Sequence, residues 1–255
     1  MLIPIQKNIL SHPSLFFRNF IDDLKNNIED SELYYIEDQK FSMDILERHN
    51  SVFLIEGSGY RSFINLYKKL KMKIILFYDD IHYWDENGKE IRHSLFSDAD
   101  VILLPCYKHF LNMNEYKDYY SKSVFFPFYI SNNILEINNI KWNDKEDKAL
   151  LTGARTGCYD FRRKINENDY IKILKHPGYY GQGEFSHDIV GKKYFEYISK
   201  FKGGIVTSAN KKQGDFNLEY TLKKYFEIPA CNVVPFIQPT IDTDELGFIN
   251  YENCI

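Results

Sequence analysis

Strand-length apolar runs alternate with helically periodic stretches along nearly all of this chain, and that alternation restricts its fold more than any other feature. MLIPI leads into SLFFRNFIDDLKNNI, where Leu15, Phe16, Phe20 and Leu24 share one helical face. LYYIED, VFLIEG, KIILFYDD, DVILLPC and VFFPFYI follow, each set off by helical or turn-forming sequence. Strands separated by helices imply crossover connections and a mainly parallel sheet. Residues 131–148, SNNILEINNIKWNDKEDK, break the rhythm with asparagine and charge and carry no core stripe. The alternation then restarts with ALLTGA, DFRRKI, YIKILKHPG, KYFEYISKF, GGIVTSA and NVVPFI. The expected fold class is therefore α/β, with two tandem Rossmann-like domains, mainly parallel sheets and a cleft between the domains. The expected boundaries are residues 1–130, a linker at 131–147, and a second domain at 148–255 that is short at its C-terminus.

Composition narrows the function classes. The 44% hydrophobic and 16% aromatic content supplies a core. With 32 basic against 36 acidic residues and a net charge of −4, the chain lacks the basic character usual in nucleic-acid-binding domains, so no nucleic-acid partner is expected. MLIPIQKNILSHPSLFF does not read as a signal peptide, and no apolar run approaches about 18 residues, so no membrane segment is expected. Cys106, Cys158, Cys231 and Cys254 are scattered without a C-x-x-C pair. That pattern supports neither structural zinc nor a disulfide framework, and it fits reduced thiols in a cytoplasmic protein.

In open parallel sheets ligands bind beyond the carboxyl ends of the strands, so the residues just after each apolar run carry the most information. After ALLT comes GARTGCYDFRRK, in which Gly153 and Gly157 flank Arg155, with Arg162, Arg163 and Lys164 further on. Glycines permit close backbone approach and arginine forks match phosphate oxygens, so this reads either as a diphosphate seat or as a glycine turn with solvated basic residues. It is not a G-x-x-x-x-G-K-[ST] loop. His176, in KHPGYYGQG, is a strand-end candidate or a solvated turn histidine. Ser208 follows GGIVT, and then Glu219 and Glu227 bracket YTLKKYF. On an ideal helix their interval corresponds to about 80° of net rotation and ~12 Å of rise, so they form no narrow stripe. Both can still grip one extended ligand if Glu219 lies in the loop before the helix. Pro229 ends or kinks that helix, and Asn232 stands where a C′ residue is expected.

In the first half, KIILFYDDIH puts Asp79, Asp80 and His82 at a strand's carboxyl end, as candidate acid–base groups. Without a third carboxylate or histidine nearby the cluster is a poor metal site, and no metal is expected. No G-x-S-x-G elbow is present.

LLTGARTGCYDFRRKI, HPGYY and TLKKYFEIPACNVVPF resemble the GT-B-fold glycosyltransferases, in particular the spore-maturation (CgeB-like) and group 1 enzymes with an E-x7-E motif. The resemblance implies transfer of a sugar from a nucleotide-diphosphate-sugar donor to a glycan, lipid-linked, protein or other hydroxyl acceptor, with retention and without a metal cofactor. It implies that Glu227 binds the ribose hydroxyls and that Glu219 lies near the donor sugar, with Thr221 beside it. Arg155, with Arg162 second, takes the diphosphate at Gly153; His176 and Ser208 complete the donor side. Asp79, Asp80 and His82, with Glu219, are the implied catalytic candidates. A binding module of the same fold without turnover, and a nucleotide-sugar epimerase, are the competing readings.

Overall fold

The structure, a computed structural model, describes residues 1–5, 16–36, 43–55, 61–79, 86–128, 130–136, 140–153, 155, 159–174, 191–213 and 216–255. The chain divides into two compact units, the first built mainly from residues 17–127 with the N-terminal segment, the second mainly from 128–255.

In the first unit, β1 (Leu2–Ile5), β2 (Glu32–Tyr35), β3 (Ser51–Ile55), β4 (Lys73–Phe77), β5 (Val101–Leu104) and β6 (Ser123–Phe125) form one sheet in the order β2-β1-β3-β4-β5-β6. Every pairing in it is parallel. The connecting helices are α1 (Phe16–Asn27), α2 (Met43–Glu47), α3 (Arg61–Lys69), α4 (Glu86–Asp98) and α5 (Tyr107–Leu111). Val52, Leu54, Ile74, Leu76, Ile102 and Leu104 are buried, as strands covered on both faces require. Phe20 of α1 packs on Phe53 and Phe77 at 5.7 and 5.0 Å between ring centroids. One buried charge interrupts this core. Arg92 of α4 donates to the hydroxyls of Tyr78 and Tyr116 at 2.9 and 3.0 Å, and the two phenols hold its guanidinium charged.

The second unit is a four-stranded parallel sheet, ordered β12-β9-β7-β8, made of β7 (Glu146–Thr152), β8 (Ile171–Leu174), β9 (Phe201–Val206) and β12 (Val234–Ile237). Before β7, the stretch expected to be a linker holds α6 (Asn132–Leu135) and a 3-10 turn, Trp142–Asp144. The remaining helices are α7 (Asp160–Lys164), α8 (Lys192–Ile198) and α9 (Lys224–Ala230). Leu150, Phe195, Ile198, Phe201, Val206, Tyr225 and Ile228 make the core. Lys145 is buried and donates to the Ser199 and Cys231 carbonyls at 2.7 and 3.1 Å, tying down the C-terminal ends of α8 and α9. Asn232 has φ +53°, the left-handed C′ conformation expected of it, and Pro229 sits in the last turn of the short helix it helps to end.

One expectation fails here. Residues 209–213 and 216–220 are neither a loop nor the start of a helix. They form an antiparallel hairpin, β10 (Ala209–Gln213) paired with β11 (Phe216–Tyr220), and Glu219 stands opposite Asn210. The period-two alternation Phe216, Leu218, Tyr220 across a Gly214–Asp215 turn signal outweighs the helical spacing of the glutamates.

The close packing of α9 on β9 depends on Gly204, where a Cβ would lie 2.6 Å from Ile228 Cγ2. Gly204→Ala is expected to destabilise the second unit by about 1–3 kcal/mol through overpacking. In a urea-unfolding double-mutant cycle with Ile228→Ala, the pair should lose less stability than the sum of the single losses. Additive losses would show that this contact does not hold α9 in place.

Candidate functional site

The candidate site is built where β7 and β9 end. At the end of β7 the chain turns through Gly153 at φ +110°, a conformation that side-chain-bearing residues rarely adopt. A Cβ there would lie 2.6 Å from Arg162 Nη1 and 2.9 Å from Lys224 Cε. The missing side chain therefore lets two cationic residues, one from α7 and one from α9, close onto the strand end.

Arg162 is only 2% exposed. Its Nε donates to Thr207 Oγ1 and its Nη2 to the Thr207 carbonyl at 2.9 Å, while its guanidinium lies 4.2 Å from the centroid of the Tyr159 ring. Thr207 and Ser208 directly follow β9, so Arg162 bridges the ends of two adjacent strands. Ser208 is buried, and its Oγ has no hydrogen-bond partner among the described residues. Arg155 behaves differently. Its Nε and Nη2 donate to the carbonyls of Arg162, Arg163 and Ile165, at 3.1, 3.2 and 2.5 Å, and so cap the C-terminal end of α7. The residue that reaches Gly153 is Arg162.

Helix α9 supplies the negative charge. Glu227 is 2% exposed, an unusual burial for a carboxylate. Its field is felt by its neighbours. Burial raises the Tyr194 phenol well above its ordinary value and Glu227 adds to that, while the hydrogen bond to Thr152, at 3.3 Å, opposes it. Burial, again assisted by Glu227, pushes the Cys231 thiol up to about 12. The half-buried Lys224 ammonium is brought down to about 8 by burial, with Arg162 and Lys223 acting in the same direction and Glu227 against it. Glu227, Arg162, Lys224 and Tyr194 thus share one electrostatic neighbourhood at the carboxyl ends of the strands.

Of the residues expected from the sequence, Gly153, Arg162 and Glu227 come together, with Ser208 beside the threonine that anchors Arg162. Thr221 is fully buried and its hydroxyl lies 2.8 Å from that of Thr240. The Glu219 backbone is in β11. Asp79 follows β4 in the first unit and is half-buried; Asp80, His82 and His176 lie outside the described residues. Sequence reasoning missed Lys224, Thr207 and Tyr194. Lys224 carried a usable signal, since it stands three residues before Glu227 and shares its helical face.

No protein-family model matches the chain, and no curated relative matches it by sequence. Solved structures do match. An alpha-glucosyltransferase in complex with UDP-glucose and DNA containing an abasic site aligns over 99% of this chain and 82% of its own, with TM-score 0.57 and 13% identity. An alpha-glucosyltransferase with UDP and a 13-mer DNA containing an HMU base aligns over 93% and 79%, with TM-score 0.52 and 14% identity. The fold is that of the GT-B glycosyltransferases, an α/β fold with two Rossmann-like parallel sheets. The expectation of no nucleic-acid partner is withdrawn, because these structural neighbours are solved with DNA. Overall charge does not decide the matter, since a net charge says nothing of where on the surface the basic residues lie. Among the described residues no helix is long and apolar enough to cross a membrane.

Arg162→Lys keeps the charge but removes the planar fork that holds Thr207. The substitution is expected to cost about 1–3 kcal/mol in chemical denaturation. Unchanged stability would show that the bridge between the ends of β7 and β9 is not structural.

Proposed function

We propose that the chain is a glycosyltransferase that moves a sugar from a nucleoside-diphosphate-sugar donor, with UDP-sugars first in line, to a hydroxyl acceptor. The observation that carries this reading is the buried Glu227 in one electrostatic neighbourhood with an Arg162 closed onto the Gly153 turn at the carboxyl end of β7. Ligands of open parallel sheets bind at such ends. The structural neighbours contain UDP and UDP-glucose, which supports the donor class. The E-x7-E resemblance, CgeB-like and group 1, adds sequence support for a hexosyl donor and for retention.

In this reading Glu227 accepts hydrogen bonds from the ribose hydroxyls. The Gly153 backbone and Arg162 face the diphosphate, and the Ser208 hydroxyl gains the partner it lacks. During transfer the bond from the anomeric carbon to the diphosphate oxygen breaks and a bond to the acceptor oxygen forms, with the acceptor proton lost to a base. Asp79, Asp80, His82 and Glu219 are the candidates for that base and for the sugar-side carboxylate. Fixed protein cations offset the charge that grows on the leaving diphosphate, so the reading needs no metal ion. For the acceptor, the DNA in the neighbouring structures supports a hydroxyl-bearing DNA base as the first class to try, ahead of glycans, lipid-linked sugars and proteins. A cytoplasmic location suits a soluble nucleotide-sugar supply.

Glu227→Gln preserves shape and removes the charge. It is expected to weaken UDP-glucose binding at least about tenfold, the scale of a hydrogen bond to a charged group, with a smaller effect on the melting temperature of the empty protein. Calorimetric titration measures this, and an unchanged donor affinity would sink the ribose assignment. Release of UDP in the presence of hydroxyl-bearing DNA or glycan acceptors tests turnover. Binding without release for every acceptor would instead support a non-catalytic module, and a changed sugar nucleotide without acceptor an epimerase.

A further inference from the structure

Lys224 takes no part in the donor contacts assigned to Glu227 and Arg162, yet it is placed to act on the same ligand. Its Cε reaches the same empty Cβ position of Gly153 as Arg162 Nη1, at 2.9 against 2.6 Å. Its Nζ lies 5.8 Å from the centroid of the Tyr194 ring. Two cations drawn onto one glycine repel each other, and in a partly desolvated place that repulsion is costly. A bound polyanion would relieve it. The buried Ser208 hydroxyl, without a partner among the described residues and next to the threonine that anchors Arg162, is a second sign of a polar ligand there.

Resting on the nucleotide-sugar reading, we infer that Lys224 and Arg162 together seat the donor's diphosphate, and that Lys224 takes up its proton with the donor, so that donor capture is linked to pH. The surroundings of Lys224 fix the sign. Burial, Arg162 of α7 and Lys223 of α9 disfavour its charge, Glu227 favours it, and the balance brings the ammonium to about 8 in the empty protein. Below that pH the lysine is already charged and affinity is flat. Above it the empty protein holds a neutral amine, and binding a diphosphate requires a proton from solvent, so affinity falls as pH rises. Arg162 stays charged, the Tyr194 phenol is raised well above its ordinary value and the Cys231 thiol sits at about 12. A terminal phosphate has its second pKa at about 6, so the diphosphate of UDP is almost fully ionised across the window in which Lys224 titrates.

The test is calorimetric titration of UDP into the full chain between about pH 7 and about pH 9, where the wild type is expected to lose affinity roughly tenfold. Lys224→Met relieves the repulsion and should fold. It is expected to bind UDP about tenfold more weakly at the lower pH, with no slope. Lys224→Arg should bind UDP with wild-type strength or better across the window and also show no slope. A Lys224→Met protein with wild-type affinity, or with the wild-type slope, overturns the inference. Glu227→Gln separates the two levels. If it weakens UDP binding while Lys224→Met does not, the lysine's role alone falls. If the wild type binds neither UDP nor UDP-glucose, the nucleotide-sugar reading falls with it.

Discussion

Parallel pairing of β7 with β9 is the constraint on which the second unit depends. Because both strands run the same way, Gly153 after one and Thr207–Ser208 after the other emerge at the same edge of the sheet. Arg162 then locks that edge by donating across it to Thr207. Helix α9 reaches the edge only because Gly204 lets Ile228 press against β9 and because Lys145 pins its far end. Glu227 and Lys224 occupy their positions as a consequence of that packing.

The arrangement has an energetic cost that fold alone does not explain. A buried carboxylate and a buried guanidinium each lose hydration, and replacing such groups with apolar residues is often neutral or stabilising. A second cation half-buried beside the first adds repulsion. Structural ion-pair networks also perturb titration, but here the shifted Tyr194 and Lys224 lie by the strand ends, near a glycine whose lack of a side chain lets Arg162 and Lys224 converge. The same unit carries a purely structural buried lysine for contrast. Lys145 donates its ammonium to two helix-end carbonyls, and burial lowers it below its ordinary value. An apolar groove of about 870 Å³ lined by Trp142, Phe161, Ile205 and Phe236 shares no residue with the charged cluster.

The architecture was legible in the sequence because alternation of apolar runs and helical stretches is dictated by sheet burial. The strand-end rule then led to Gly153, Ser208 and Glu227 without any contact information, and Asn232 was readable as a helix terminator from position alone. What the sequence did not show has specific physical causes. Measuring Glu219 and Glu227 on one helix hid the hairpin, although Phe216, Leu218 and Tyr220 alternate as a strand should. Arg155 was preferred to Arg162 because it sits between the glycines, but sequence proximity does not show where a long side chain folds back, and Arg155 folds onto the carbonyls of α7. Lys224 was not singled out, since its meeting with Gly153 is a tertiary contact across 71 residues of sequence, from 153 to 224.

Everything proposed for the second unit requires that these strand ends hold a nucleotide sugar. The most direct measurement is a crystal structure of the chain with UDP-glucose. The account predicts the ribose hydroxyls on the Glu227 carboxylate and the diphosphate between the Gly153 turn and the Arg162 and Lys224 side chains. An ordered nucleotide bound elsewhere, with Glu227 and Arg162 untouched, would contradict it.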